Sequence, residues 1–321
     1  MNIVLDNRNG QIWDISTMTS EVSWKTTRTG NPSTADITLI NDASRRNKAF
    51  TVNNGDIVRI TKDNHNLFYG YVFTVDTGDD RQIKIKAYDQ IRYLMGQGTY
   101  VFTKVTADEV IRKIANDNGL IVGNLDKGEY VIPSMVEDNK KLLDMILKAI
   151  DYSLAYKTQY LTFYDNFGKL TLKTMNFTPK VVLGPGRDLT GYSIKKSIDD
   201  ETYNRIKLYK DDKETGRRQV YIVQDSANIA KWGQLQLFQK ADDNWNEAQI
   251  KEGAAKLLTL HNREKTTFSI DSIGDLNVRA GDAVAIILED FPEQKLFGVE
   301  ECTHKFAGGE HTMSLTLKVV Q

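Results

Sequence analysis

Residue types that commonly do chemistry are sparse in this 321-residue chain. It has four histidines (His65, His261, His304, His311) and one cysteine, Cys302. His304 and His311 flank the turn Ala307-Gly308-Gly309-Glu310, so a hairpin would let their imidazoles approach each other. Two imidazoles begin a metal site, but a closed site needs four ligands, and no partner Asp, Glu or Cys stands at ligand spacing. No metal is assigned. Cys302 lies in a strand pattern and reads as a buried structural thiol rather than a nucleophile. A lone cysteine also excludes an intrachain disulfide and a cysteine-based zinc site. His65, in "KDNHN", has loop composition. His261 ends a helix, where a cation suits the dipole.

Other catalytic signatures are missing. There is no GxSxG elbow, HExxH pair, Walker loop or dinucleotide fingerprint. "LGPGRD" is glycine-rich but lacks the lysine and the helix that cradle a phosphate, so it reads as a linker turn. Carboxylates are numerous enough to supply a glycosidase acid and nucleophile, but nothing in the sequence singles out two of them. Asp199, Asp200 and Glu201 read as a solvated turn, and the aspartates of "TGDD" and "DNFGK" as turn formers. Trp232 and Trp245 could anchor a partner, though core packing is the more frequent role. Arg217-Arg218 and Lys195-Lys196 read as solvated surface. No catalytic, cofactor-binding or metal-binding residue is assigned, which favours a structural or binding protein over an enzyme.

The elements that would carry such residues are mostly strands. The first hundred residues alternate strand and turn: "EVSWKTTR", "ADITLI", "GDIVRIT", "NLFYGYVFTVDT" (apolar enough to be buried on both faces) and "QIKIKAYD". That pattern predicts a small barrel or sandwich. Thr106 with Glu109 then forms a capping box, Val110, Ile111 and Ile114 an apolar helix face, and Gly119 a stop. A second helix is predicted from near Asp138, with Leu142, Leu143, Ile146, Leu147 and Ile150 on one face. "YKTQYLTFYD" and "LTLKTM", joined by "DNFGK", predict a hairpin. After a Pro/Gly-rich boundary near 179–190 come the strands "YNRIKLYKD", "RRQVYIVQD" and "QLQLFQK". A helix over 244–261 follows, with Asn244 and Glu247 at cap spacing. Strands resume to the end.

One phrase occurs twice. "VNNGDIVRI" (52–60) and "VRAGDAVAI" (278–286) agree at five of nine positions. Each leads to a strand containing Leu-Phe and a glycine, then to a tight turn and a closing alternating strand. A Gly-Asp turn before a strand is common, so the phrase alone is ordinary. The shared order of the following elements points to two copies of one barrel, with Gly55-Asp56 and Gly281-Asp282 at equivalent corners. The fold class is therefore mostly β with an α+β insertion: two similar small barrels plus a small α/β domain. The predicted domains are 1–100 (first barrel), 101–180 (inserted domain) and 181–321 (the long helix and second barrel).

Composition sets further bounds. Lys plus Arg is 42 against 43 for Asp plus Glu, a net charge of -1, which argues against nucleic-acid binding driven by bulk charge and leaves only a local basic patch open. No apolar run approaches the roughly 20 residues that span a bilayer. "MNIVLDNRNG" has no signal-peptide pattern, so synthesis in a cytoplasm without a Sec signal is expected.

The element order, with "NKKLLDMILKAIDYSLAYKTQYLTFYDNFGKLTLK", "SIDDETYNRIKLY" and "VRAGDAVAI", resembles the XkdQ/YqbQ-type tail hub proteins of contractile-tailed phages and phage-derived bacteriocins. More distantly it resembles late-control D proteins and the hub part of type VI secretion spikes. The Asp165–Leu170 turn, Tyr203–Tyr209 and Val278–Val284 match the family's pattern. The resemblance implies a homotrimer whose six barrels form a pseudo-six-fold ring between a hexameric tail tube and a trimeric central spike. It also implies contacts with other baseplate and tape-measure proteins, and a lumen that DNA crosses without specific binding. Neither cofactor nor membrane insertion is implied. The chain would be made in a bacterial host cytoplasm and end in a virion or a released tail-like particle. Two other classes remain open from sequence: a tail-associated cell-wall hydrolase and a host-glycan-binding β module.

Overall fold

The computed structural model describes residues 1–41, 47–79, 81–184, 188–199, 201–211, 216–241, 245–288 and 291–319. The chain forms two compact units, Met1–Tyr192 with Ser269–Gln321, and Ser193–Phe268.

The first unit opens with seven strands: β1 (Asn2–Asp6), β2 (Ile12–Asp14), β3 (Thr19–Thr27), β4 (Thr34–Ile40), β5 (Ile57–Lys62), β6 (His65–Thr77) and β7 (Gln82–Tyr88). Alternation places Val22, Trp24, Ile37, Leu39, Val58, Ile60, Ile83 and Ile85 in one core. Strand β6 is not buried on both faces as its composition predicts. Its first half is inward, while Thr74, Asp76 and Thr77 are exposed. His65 opens this strand opposite Lys62 rather than lying in a loop.

The α/β segment follows. It comprises β8 (Gln97–Val105), α1 (Ala107–Asp117), β9 (Val122–Leu125), β10 (Ile132–Lys141), α2 (Leu142–Lys157), β11 (Leu161–Asp165) and β12 (Leu170–Thr174). The Thr106 amide donates to Glu109 at 2.9 Å, completing the predicted cap, and Val110, Ile111 and Ile114 are fully buried. Helix α2 starts at Leu142, not near Asp138, because residues 132–141 pair as a strand with β8. The segment's core begins at Ile91 and Leu94, in a 3-10 turn ahead of β8.

The chain then adds β13 (Pro179–Leu183) and β14 (Leu189–Ser197) and enters the second unit. There, β15 (Arg205–Asp211) is flanked by β16 (Arg218–Gln224) and β17 (Gln236–Lys240), with helices α3 (Ser226–Trp232) and α4 (Glu247–His261). The cap of α4 is Asn246 with Gln249, two residues beyond the predicted pair; Asn244 lies outside the described residues. Helix α4 packs Ile250 and Ala254 onto Ile206 and Leu208, and Trp245 packs against the same core. The long helix therefore belongs to a three-stranded sheet of its own.

Strands β18 (Lys265–Ile273), β19 (Ala283–Leu288), β20 (Phe291–Ala307) and β21 (Glu310–Val319) complete the chain. The strand order explains the repeated phrase. One half of the large sheet runs β3-β4-β7-β6-β5-β1, and the other runs β14-β18-β21-β20-β19-β13. The halves differ where β1 meets β5 antiparallel and β13 meets β19 parallel.

The chain is mostly β with an α+β segment, as expected, but the two similar halves are not small barrels: both belong to one 13-stranded sheet, and among the described residues neither closes on itself. The cause is the length of β20. Its 17 residues outrun β19, and the overhang pairs with β3 of the other half, Cys302 opposite Thr26 and His304 opposite Trp24.

Candidate functional site

Gly55-Asp56 and Gly281-Asp282 are built alike. Both glycines have φ of 91°, a left-handed conformation that disfavours any residue with a Cβ. The Gly55 and Gly281 amides donate to the Val72 and Val299 carbonyls, each at 2.8 Å. The Val72 and Val299 amides return bonds to the Asp56 and Asp282 carbonyls, at 2.8 and 2.9 Å. Each aspartate folds back on its own turn. The carboxylate of Asp56 accepts from the Asn53 amide at 2.7 Å, and that of Asp282 from the Arg279 amide at 3.1 Å. Short polar side chains do this readily, which is why aspartate suits the position.

The likeness continues past the corners. Ile57 sits opposite Tyr71 as Ala283 sits opposite Gly298. Gly70 therefore corresponds to Phe297, and the two glycines matched in sequence stand one residue out of step. The register slips between Val72 and Thr74 against β7, and between Val299 and Glu301 against β21, so each half carries the same bulge.

Their surroundings differ. At the first corner the Asn7 amide reaches Asp56 at 2.6 Å, while its carbonyl oxygen accepts the Trp13 indole N–H at 2.6 Å. The second corner rests on β11. The Arg279 guanidinium lies 3.9 Å from the Tyr164 ring centre, and Gly281 faces Thr162. Beneath them lie two buried acids. Asp89 accepts from the Ser33 and Ile91 amides at 2.9 and 3.0 Å. Asp165 accepts from the Gln90 side chain at 2.7 Å and the Gly168 amide at 2.6 Å. Burial, with the nearby Asp165 charge adding to it, pushes the Asp89 carboxyl up to about 7, against its two amide donors. Asp165 is raised too, chiefly by burial. In sequence Asp165 reads as a turn former and Asp89 as the end of the strand "QIKIKAYD"; only the fold gathers them. Both carboxyls are occupied by amide donors, the arrangement of a polar core that locks β11 and the 3-10 turn to the sheet.

The histidines also meet. His304 Nδ1 lies 2.9 Å from His311 Nε2, and His304 Nε2 lies 3.2 Å from the Cys302 sulfur and 2.8 Å from the Val278 carbonyl oxygen. Among the described residues no three His, Cys, Asp or Glu side chains form a metal-ligand group. Burial lowers the His304 pKa to about 4, so its ring is neutral at pH 7, and it stacks on Trp24 at 5.0 Å. The triplet fills the seam between the halves. Burial pushes the Cys302 thiol far up, which makes it inert. The His261 Nδ1–H donates to the Glu201 carbonyl oxygen, 3.0 Å away, and Arg218 pairs with Asp211 at 2.7 Å.

Comparison with known proteins agrees with this architecture. The "Phage-like element PBSX protein XkdQ" of Bacillus subtilis (strain 168) is 30% identical over 270 residues, 83% of this chain and 82% of the relative. A tail protein from Neisseria meningitidis MC58 has the same fold, with a TM-score of 0.74 at 12% identity, covering 99% of this chain and 96% of that one. A component of the Escherichia coli type VI secretion system, c3393, is a more distant structural neighbour, with a TM-score of 0.53 at 10% identity over 94% of this chain and 74% of that one. The YQBQ-like family profile matches residues 22–318, and with a fold shared with phage tail proteins the chain belongs to the YQBQ-like family.

Proposed function

We propose that this chain is a structural baseplate hub of a contractile phage tail or phage-tail-like particle. Three copies form a ring of pseudo-six-fold symmetry between a hexameric tail tube and a trimeric central spike. The observation that carries the reading is the internal repetition: two halves with one strand order, one corner geometry and one bulge in a single sheet. A closed assembly needs self-consistent contacts. Two like halves per chain let three chains present six like surfaces to a six-fold partner and a true three-fold axis to a trimeric one.

Its relatives support the same reading. XkdQ is named as part of a phage-like element, and the Neisseria protein as a tail protein. The Gly55-Asp56 and Gly281-Asp282 corners mark equivalent points of the ring and carry no catalytic role. Other baseplate proteins and a tape-measure protein would meet the ring, and DNA would cross its lumen without specific contacts. The particle would carry the protein outside the cell in which it was made. Symmetry-resolved electron microscopy of particles carrying the tagged chain tests this: three copies per tail at the tube-to-spike junction are expected. A monomer bound elsewhere on the particle would overturn it.

A further inference from the structure

The seam inside one chain shows how the next seam between chains is built. Along β20 the β19 partner ends, Asp282 and Gly281 take both backbone groups of Val299, and β3 continues the same edge from Glu301 to Ala307. The seam is reinforced by charge: Lys25 meets Glu301 at 2.9 Å, Arg28 meets Glu300 at 3.0 Å and Lys305 meets Glu21 at 3.1 Å.

The first half repeats the edge without the cover. Along β6 the β5 partner ends, Gly55 and Asp56 take both backbone groups of Val72, and past the bulge, among the described residues, the strand pairs with β7 only. Thr74 and Asp76 there correspond to Glu301 and Thr303.

The counterpart of β3 is also uncovered. β14 stands at the outer end of its half, and both strands are nine residues long. Aligned on their first residues, Val22-Ser23-Trp24-Lys25 matches Tyr192-Ser193-Ile194-Lys195, with serine and lysine in common. Val22 and Trp24 are 0% and 4% exposed beneath the seam, whereas Tyr192 and Ile194 are 47% and 39% exposed. Both side chains are thus partly exposed where their counterparts are buried.

We propose that β14 of one copy pairs antiparallel with the free edge of β6 in a second copy of this chain, so that the β20–β3 seam recurs between chains. The second copy is the occupant because the matching covered seam is already present within each chain. Charge agrees: β6 offers Asp76 and β14 offers Lys195 and Lys196, the same polarity as Glu301 on β20 and Lys25 on β3. Lys25 lies opposite Thr303, which sets Lys195 opposite Asp76. An unpaired strand edge recruits a strand through its main-chain groups. The count of three rests on the proposed hub function; the pairing itself rests on the sheet.

The test is disulfide trapping in the full chain, with native mass measured in parallel. In D76C/K195C, mild oxidation is expected to give a closed, covalent species of three-fold mass. Mixing D76C chains with K195C chains should give a cross-linked dimer, whereas each alone should not. A three-fold native mass with no cross-link in the double variant or the mixture overturns the pairing and leaves the hub function standing. Chains that remain monomeric at every concentration overturn both. A covalent ladder running past three supports the edge pairing and refutes the closed ring. In uncross-linked protein, D76K should raise the midpoint concentration of assembly about tenfold or more, and D76K/K195D should restore it. No effect of either counts against the assigned register.

Discussion

The twin glycine corners make the most direct prediction, because the same substitution should have unequal cost. Replacing Gly55 or Gly281 by alanine places a Cβ at φ of 91° in both cases. That conformation costs an L-residue roughly 1–2 kcal/mol. At Gly55 the new methyl meets nothing within 4 Å, so the backbone term stands alone. At Gly281 it would sit 2.5 Å from Thr162 Cγ2 and 3.0 Å from Thr162 Oγ1. Thr162 is itself buried, at 4% exposed. Relieving such a clash in a packed interior adds about 1–3 kcal/mol. The expected losses are therefore about 1–2 kcal/mol for G55A and about 2–5 kcal/mol for G281A. Urea unfolding should be read by hydrogen exchange in peptides from β20, which report on the large sheet alone, with the slope checked against the parent. In the double variant G281A/T162A the obstructing atoms are gone, and about 1–3 kcal/mol of favourable coupling is expected. Equal losses at the two corners, or no coupling with Thr162, would refute the claim that the second corner is seated on β11.

Four further outcomes follow from the buried polar groups. D56A should cost roughly 1–3 kcal/mol, because the Asn7 side chain and the Asn53 amide both lose a charged acceptor, and D282A less, with one backbone bond lost; thermal unfolding of the two variants side by side checks this. Asp89, held near 7 when folded and near 4 when unfolded, stabilises the fold fully below about pH 4, and that contribution is lost as pH rises through 7. Relative to the parent, D89N should therefore gain stability steadily as pH rises from 4 to 7; a pH-independent difference refutes the shift. Buried His304 runs the opposite way, losing stability as pH falls from 6.5 through 4, so H304Q should gain on the parent in that window as pH drops. Cys302 should react with a thiol reagent only on unfolding, and prompt labelling of the native chain would contradict its burial.

Legibility from sequence followed the range of the interactions involved. Helix α1 could be read to its cap and its buried face because both depend on residues three or four apart. The start of α2 could not, since residues 132–141 flank a helix but are claimed by β8, from which the paired residues are 27 (Ile132–Val105) to 44 (Lys141–Gln97) positions apart. The α4 cap is Asn246 with Gln249, so the spacing of Asn244 and Glu247 did not by itself locate the start of the helix.

The repeated Gly-Asp phrase shows the same division. Its residues determine their own turn, since a glycine free to take positive φ and an aspartate able to bond its own amides are local properties. Whether two such turns serve two closed barrels or one shared sheet depends on where the end of β20 finds a partner. That partner, β3, is separated from it by more than 270 residues. Likewise Arg279, Asp89 and Asp165 are ordinary turn and strand residues in sequence, and become one buried polar cluster only when three distant segments close over them. Local propensity wrote the elements of this protein, and the burial of distant strands against each other decided which edges were covered and which were left open.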